Sequence, residues 1–313
     1  MPATYVEKSI DINATIEDIE TILSDFNQWI PWSPWLLMEP EAAISVADDK
    51  LYYEWNGRRV GSGNMHFLGA TDDDKDTRLL RYSLTFLSPW KSTADVEFKL
   101  QPNANNTTVN VAWIMRSSLP FFLFWMKNSI QNFIGMDYKR GLSMLKEHIE
   151  TSSIASAIDF VGETLFNETQ YIGITTQSSM SELGTKMSRD FAALGQFMEN
   201  HEGLQNGAPF SIYNKMDMSK QTCEYTAAIP VLESPSNLPD NLKLSSFPNA
   251  KMFCLRHKGK YEHLGNAWST LYTMQRNKEF QSHKKVKPVE IYINDPAEVS
   301  PQALVTDVML PIK

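Results

Sequence analysis

The sequence predicts an α+β protein of two domains. An antiparallel sheet wrapped on a long C-terminal helix fills residues 1–151, and a pseudo-symmetric, duplicated βαββ domain fills residues 158–313. Three observations carry this. The first half reads as strand, short helix, about five strands and long helix. The second half echoes itself about 80 residues on: Pro209-Phe-Ser-Ile-Tyr-Asn214 returns as Pro288-Val-Glu-Ile-Tyr292 with Asn294 following, and Thr226-Ala-Ala-Ile-Pro230 as Thr306-Asp-Val-Met-Leu-Pro311. Between the halves, Thr151-Ser-Ser-Ile-Ala-Ser-Ala157 has the small-residue composition of a linker.

Tyr5 to Asn13 alternates as a strand. Thr15 reads as an N-cap, and Ile16, Ile19, Ile22, Leu23 and Phe26 line one helical face that must stop before Pro31. Leu51 to Trp55 runs into Asn56-Gly57, a two-residue hairpin signal, and Val60 to Leu68 returns. Gly61-Ser-Gly63, inside that strand, reads as a bulge. Asp72 to Asp76 reads as a solvated turn, and Asn103 to Asn106 joins two of the strands Arg78–Leu87, Thr93–Leu100 and Thr107–Met115. From Pro120 to about Ile149, Phe124, Ile130, Phe133, Ile134, Tyr138, Leu142 and Leu145 recur at helical spacing. In the second half, each copy is strand, helix, strand, strand. Met180, Leu183, Met187, Phe191 and Leu194 stripe the first helix, and Leu264, Ala267, Trp268 and Leu271 the second.

Composition narrows the function. With 29 basic against 37 acidic residues the net charge is −8, which argues against direct nucleic-acid binding and against docking on an anionic membrane. Met1 to Lys8 lacks the apolar core of a signal peptide, and the longest apolar run, Leu119 to Met126, falls far short of the ~20 residues of a membrane span. A cytoplasmic location is expected. Cys223 and Cys254 read as small buried residues. The six histidines show no zinc spacing and are expected at the surface; no metal or cofactor site is expected. No Gly-x-Ser-x-Gly elbow or phosphate-binding glycine loop occurs.

Phe26-Asn-Gln-Trp29 with Trp32-Ser-Pro34, Tyr53-Glu-Trp55-Asn-Gly57, Gly61-Ser-Gly63 and Ile134-Gly-Met-Asp-Tyr-Lys-Arg-Gly-Leu142 give the first half a resemblance to the START-like, polyketide-cyclase-like (SRPBCC) superfamily and its helix-grip fold. That resemblance implies an apolar ligand between helix and sheet. The second half resembles the GyrI-like domain, the effector-binding domain of AraC-type and MerR-type regulators. It does so through Gly207-Ala-Pro-Phe-Ser-Ile-Tyr213, Ala228-Ile-Pro230, Lys258-Gly-Lys-Tyr261, Ala267-Trp268, Val289-Glu-Ile-Tyr292 with Asn294-Asp-Pro296, and Thr306 to Lys313. Such regulators carry a helix-turn-helix, which nothing in residues 1–157 resembles.

Strand alternation sets Phe210, Ile212, Val289, Ile291 and Ile293 on one side of the second sheet and Ser211, Tyr213, Glu290, Tyr292 and Asn294 on the other. The apolar side is expected under the helices, leaving Ser211, Tyr213, Glu290 and Tyr292 on an uncovered face. The repeat pairs Tyr213 with Tyr292 but Ser211 with Glu290, so a single carboxylate breaks an aromatic symmetry. Aromatic faces and a partly desolvated carboxylate suit a lipophilic cation. From the residues alone, Glu290 either lines such a pocket or faces water. The resemblance implies the pocket, because family members contact cationic drugs through this glutamate. It also sets aromatics near the second helix start, where Tyr261 and Trp268 stand; Trp268 equally suits helix-to-sheet packing. Some relatives are hydrolases of strained rings, which makes Glu290 a candidate base, and some act on protein partners. Seven of the eight tryptophans fall in the first half; Trp32, Trp55 and Trp113 either line a cavity there or fill the space between sheet and helix.

Overall fold

The computed structural model describes residues 3–73, 76–104, 107–118, 127–218 and 220–313. The chain divides into two compact units, Met1–Ile154 and Ala155–Lys313. Antiparallel sheets dominate both, with few helices. Among the described residues no helix is long and apolar enough to cross a membrane.

The first unit runs β1 (Ala3–Ile12), α1 (Ile16–Ser24), β2 (Ala43–Val46), β3 (Tyr52–Gly57), β4 (Gly61–Asp73), β5 (Thr77–Ser88), β6 (Ser92–Pro102), β7 (Val109–Ser118) and α2 (Lys127–Thr151). Its seven strands form one antiparallel sheet in the order β1-β7-β6-β5-β4-β3-β2. The Thr15 hydroxyl caps α1 by accepting from the Asp18 amide at 3.1 Å, and Ile19 and Leu23 bury the inner face. The short strand β2 escapes the sequence reading because four residues give too little alternation.

The β3–β4 turn departs from the two-residue hairpin expected at Asn56-Gly57. Both residues stay in the ladder, Asn56 opposite Ser62 and Gly57 opposite Gly61, and the turn is Arg58-Arg59-Val60. The reason is Glu39, a buried carboxylate that accepts the backbone N–H groups of Arg58, Arg59 and Val60 at 2.7, 2.8 and 3.0 Å. A side chain outside the hairpin fixes the turn that Asn-Gly would otherwise choose. The expected bulge is present, with the register shifting between Ser62 and Gly63. Gly61 there has φ of 70°, where a Cβ would lie 2.4 Å from the Ser88 carbonyl oxygen.

Helix α2 packs against the sheet through Tyr138, Leu142 and Leu145. Phe133, expected on the same stripe, is 51% exposed; it lies one residue, about 100°, away from the stripe that Ile134 continues. The expected first turn, Pro120 and Phe124, lies outside the described residues. At Gly141 helix α2 lies tight against the sheet: a Cβ there would meet the Trp113 ring at 2.8 Å.

The second unit runs β8 (Ser156–Phe166), β9 (Thr169–Ser179), α3 (Leu183–Glu199), β10 (Phe210–Asp217), β11 (Thr222–Pro230), β12 (Lys243–Phe247), β13 (Ala250–Gly259), α4 (Gly265–Arg276), β14 (Val289–Tyr292) and β15 (Val305–Pro311). Each repeat therefore has one strand more than the expected βαββ: β8 begins at Ser156, inside the expected linker, and β12 precedes β13 in the second repeat. The strand order is β12-β9-β11-β10-β14-β15-β13-β8. The added strands are exchanged: β8 pairs with β13 of the second repeat, and β12 with β9 of the first. The two repeats meet at β10 and β14, where Ser211 pairs with Glu290 on the pseudo-dyad.

One expectation about this sheet is overturned. Helices α3 and α4 lie on the face that carries Tyr213, Glu290 and Tyr292: Leu194, Phe197 and Met198 of α3 pack with Tyr213 and Tyr225, and Ala267 and Leu271 of α4 pack with Leu255 and Val308. The apolar face, with Phe210, Ile212 and Val289, needs no helix. The sheet curls until its two outermost strands meet, bringing Phe166 and Phe247 to 4.7 Å between ring centroids, and the face closes on itself.

Gly141→Ala forces a methyl against Trp113 and is expected to destabilise the first unit by about 1–3 kcal/mol. A urea titration followed by tryptophan fluorescence checks this; an unchanged first-unit midpoint contradicts the close packing.

Candidate functional site

Glu290 lies in the short central strand β14, flanked by β10 and β15. It is 3% exposed. Its register partners are Ser211 on β10 and Val308 on β15. One carboxylate oxygen accepts the indole N–H of Trp268 on α4 at 2.5 Å, and the other accepts the Tyr292 hydroxyl at 2.8 Å. The Tyr213 hydroxyl also donates to the carboxylate. Among the described residues no Lys, Arg or His forms an ion pair with it.

The walls are aromatic. Tyr292 meets Phe191 of α3 edge-on at 5.3 Å and Tyr261 at 5.7 Å, and its hydroxyl reaches Met187 Sδ at 3.8 Å. Trp268 meets Tyr213 edge-on at 4.9 Å and stacks on Tyr272 one turn along α4, at 5.8 Å. Tyr261 and Tyr272 are 36% and 40% exposed, so two rings stand at the rim while the carboxylate lies beneath. Burial pushes the Glu290 carboxyl above its ordinary range, and its three donors oppose that rise. Tyr213 and Tyr292 are held well above the usual phenol value by the same burial and by Glu290. The Cys223 thiol, also buried, is pushed up to about 11 by desolvation and then by Glu290.

The structure thus gathers Ser211, Tyr213, Tyr261, Trp268, Glu290 and Tyr292 around one point, under the helices rather than on a bare face. Met187, Phe191 and Tyr272 join them unforeseen. Their only sequence signal is i, i+4 spacing, Met187 to Phe191 and Trp268 to Tyr272, which ordinary helix packing shares.

Trp32, Trp55 and Trp113 belong to the first unit. Trp32 and Trp113 are fully buried, and Trp113 stacks on Tyr138 at 4.0 Å and on Phe98 at 4.9 Å. Trp55 lies against Tyr53 and Phe86. These rings fill the space between sheet and helix. Among the described residues the indole N–H groups of Trp32 and Trp113 have no hydrogen-bond partner, whereas Trp29 and Trp35 donate to the Leu23 carbonyl and to Asp137.

Two histidines expected at the surface are buried: His257 at 0% and His263 at 1% exposure. His257 shares the α4 face of β13 with Leu255, so strand alternation turns it inward. Its Nε2 lies 3.1 Å from Ser156 Oγ, and its Nδ1 has no partner among the described residues. Across the dyad, the matching place is occupied by a satisfied cluster in which Asp190 of α3 accepts the Tyr225 and Thr176 hydroxyls at 2.8 and 2.6 Å.

Residues 163–313 match the family model described as the GyrI-like small molecule binding domain, a domain that binds small molecules. No curated protein matches the chain. Among solved structures, the EcmrR–DNA complex is 15% identical with a TM-score of 0.43, covering 62% of this chain and 72% of that one. The EcmrR C-terminal domain is 17% identical with a TM-score of 0.39, covering 50% and 96%. SAV2435 bound to tetraphenylphosphonium is 10% identical with a TM-score of 0.39, covering 48% and 92%.

Burial drives the His257 pKa down from 6.5 to about 4, helped by His263. A depressed folded-state value means the neutral ring stabilises the fold above pH 6.5, and this stability is lost as pH falls through about 4. The full contribution is about 3 kcal/mol. His257→Gln is expected to flatten the difference between thermal midpoints at pH 7 and pH 5 relative to wild type; equal differences would rule the titration out. Trp268→Phe removes one donor from the buried carboxylate and should cost about 1–3 kcal/mol in the same melts.

Proposed function

We propose that this protein is a two-domain small-molecule binder whose second unit takes hydrophobic cations at Glu290. The observation that carries this is a buried carboxylate enclosed by aromatic rings with no cationic side chain to pair with. A buried ionised carboxylate is costly without a counter-charge, and a ligand that brings one, together with a large apolar surface, repays that cost. The rings of Tyr213, Tyr261, Trp268 and Tyr292 add cation–π attraction of about 0.5–2 kcal/mol each where they face the charge. The family match over residues 163–313 supports small-molecule binding in this unit.

We read the first unit as a START-like helix-grip domain, on the packing of α2 across β1 and β7 and on the aromatic residues between them. Its two described α-helices, α1 and α2, are separated by six strands, which supports a role other than direct DNA reading. On this reading the protein senses or sequesters its ligand in the cytoplasm, alone or with a protein partner.

One observation favours a second reading. The Tyr292 hydroxyl 2.8 Å from a carboxyl of raised pKa is an acid–base pair, and it suits hydrolysis of a reactive xenobiotic or metabolite. Product formation abolished by Glu290→Gln would select it over stoichiometric binding.

Glu290→Gln is expected to weaken binding of a rhodamine-type cationic dye at least about tenfold, with the circular dichroism spectrum unchanged. Equal affinities in a fluorescence titration would overturn the cation reading.

A further inference from the structure

The Tyr292 hydroxyl stands between two oxygens, Glu290 Oε2 at 2.8 Å and Ser211 Oγ at 3.0 Å. It has one proton to give and lone pairs to receive. That allows two complete hydrogen-bond patterns on one set of heavy-atom positions. With Glu290 ionised, Ser211 donates to Tyr292 and Tyr292 donates to the carboxylate. With Glu290 protonated, the carboxyl O–H donates to Tyr292 and Tyr292 donates to Ser211. The chain reverses direction and each of the three oxygens keeps a partner, so the fold accommodates either charge state at this point.

Three donors, Trp268, Tyr213 and Tyr292, favour the ionised form against burial, but among the described residues no cationic side chain pairs with it. From β10 the titratable neighbour is Tyr213, from β11 Cys223, from α4 Tyr272 beside Trp268, and from the turn before α4 Tyr261; all are neutral at physiological pH. On β15 the facing residue is Val308, and from α3 come Met187 and Phe191. Of the charged groups on these elements, Asp190 engages Arg189, Thr176 and Tyr225, Glu262 engages Lys260 and His263, Asp307 engages Arg256, and Lys215 and Arg276 are exposed to solvent.

We propose that Glu290 rests protonated and that a hydrophobic cation binds by displacing this proton, with the Ser211–Tyr292 pair reversing to follow it. The proposal rests on the cation reading above and adds its stoichiometry. The carboxyl O–H bond breaks, its proton leaves to solvent, and the ligand's charge replaces it, so the net charge of the buried site is unchanged by binding. A neutral ligand of the same shape displaces no proton. Selectivity for cations then depends on pH.

Tetraphenylphosphonium tests this, because its charge is permanent and it carries no proton of its own. Calorimetric titration of the full chain across pH 5 to 8, in buffer pairs of different ionisation enthalpy, counts protons released. Close to one proton per cation is expected at the acid end, falling towards none as pH rises, with Kd tightening by about tenfold per pH unit over the range where release occurs. Glu290→Gln should bind more weakly, release no proton and show no such slope. Wild-type binding with a constant Kd and no proton release at every pH overturns the exchange and leaves the cation reading standing. Absence of binding at every pH overturns both. Because wild type alone decides between these outcomes, the test survives a variant that fails to fold.

Discussion

The second unit depends on the pairing of two short strand segments across a pseudo-dyad, with a serine on one and a glutamate on the other. Duplication supplies two of everything: two helices over one face, two tyrosines at matching positions, two outer strands exchanged between halves. At the axis itself a fully symmetric copy would set two carboxylates side by side, in a place from which water is excluded. Like charges so close cannot both ionise without a large cost. Replacing one by a hydroxyl leaves a single acid and gives it a partner, through Tyr292, that can both donate and accept. The asymmetry thus relieves a repulsion that symmetry would create.

The same axis explains why the two helices are held differently. Helix α3 is anchored by Asp190, whose carboxylate collects two hydroxyls from strands β9 and β11 and an arginine from its own helix. At the matching strand positions under α4 stand His257 and Thr306, each with a buried polar atom lacking a partner among the described residues. Helix α4 is tied to the sheet instead by Asn266, which donates to Ser156 Oγ at 2.9 Å, and by Trp268 to Glu290, so one anchor of that helix is also the candidate binding group. Any ligand that takes the carboxylate competes with a helix–sheet contact, and its net affinity is what remains after that contact is replaced.

Much of this arrangement was legible in the sequence. The echo of Phe-Ser-Ile-Tyr by Val-Glu-Ile-Tyr located both central strands, and period-two alternation grouped Ser211, Tyr213, Glu290 and Tyr292 on one side. Alternation cannot say which side a helix covers. The apolar side was expected there because apolar surface must be buried, but curvature of an eight-stranded sheet offers another way to bury it, and curvature arises from exchanged outer strands that no local pattern announces. His257 was missed for a related reason: its neighbours in sequence are charged, and alternation puts it with Leu255 on a face whose cover by α4 no local pattern gives. The turn at Arg58 to Val60 was missed because Glu39, which dictates it, lies nearly twenty residues upstream.

In the first unit the balance is different. Aromatic rings occupy the ground between helix and sheet, and Gly141, with no side chain, leaves room for the Trp113 ring against α2. Tyr138 stacks on Trp113 from one side while Phe98 does so from the other, a sandwich that ties the helix, β7 and β6 together through ring faces. Two indole N–H groups inside this packing have no acceptor among the described residues. An unsatisfied buried donor costs about 1–3 kcal/mol. The two units thus solve opposite problems: one buries apolar rings at the expense of two stranded donors, and the other buries a charge-bearing group and surrounds it with donors.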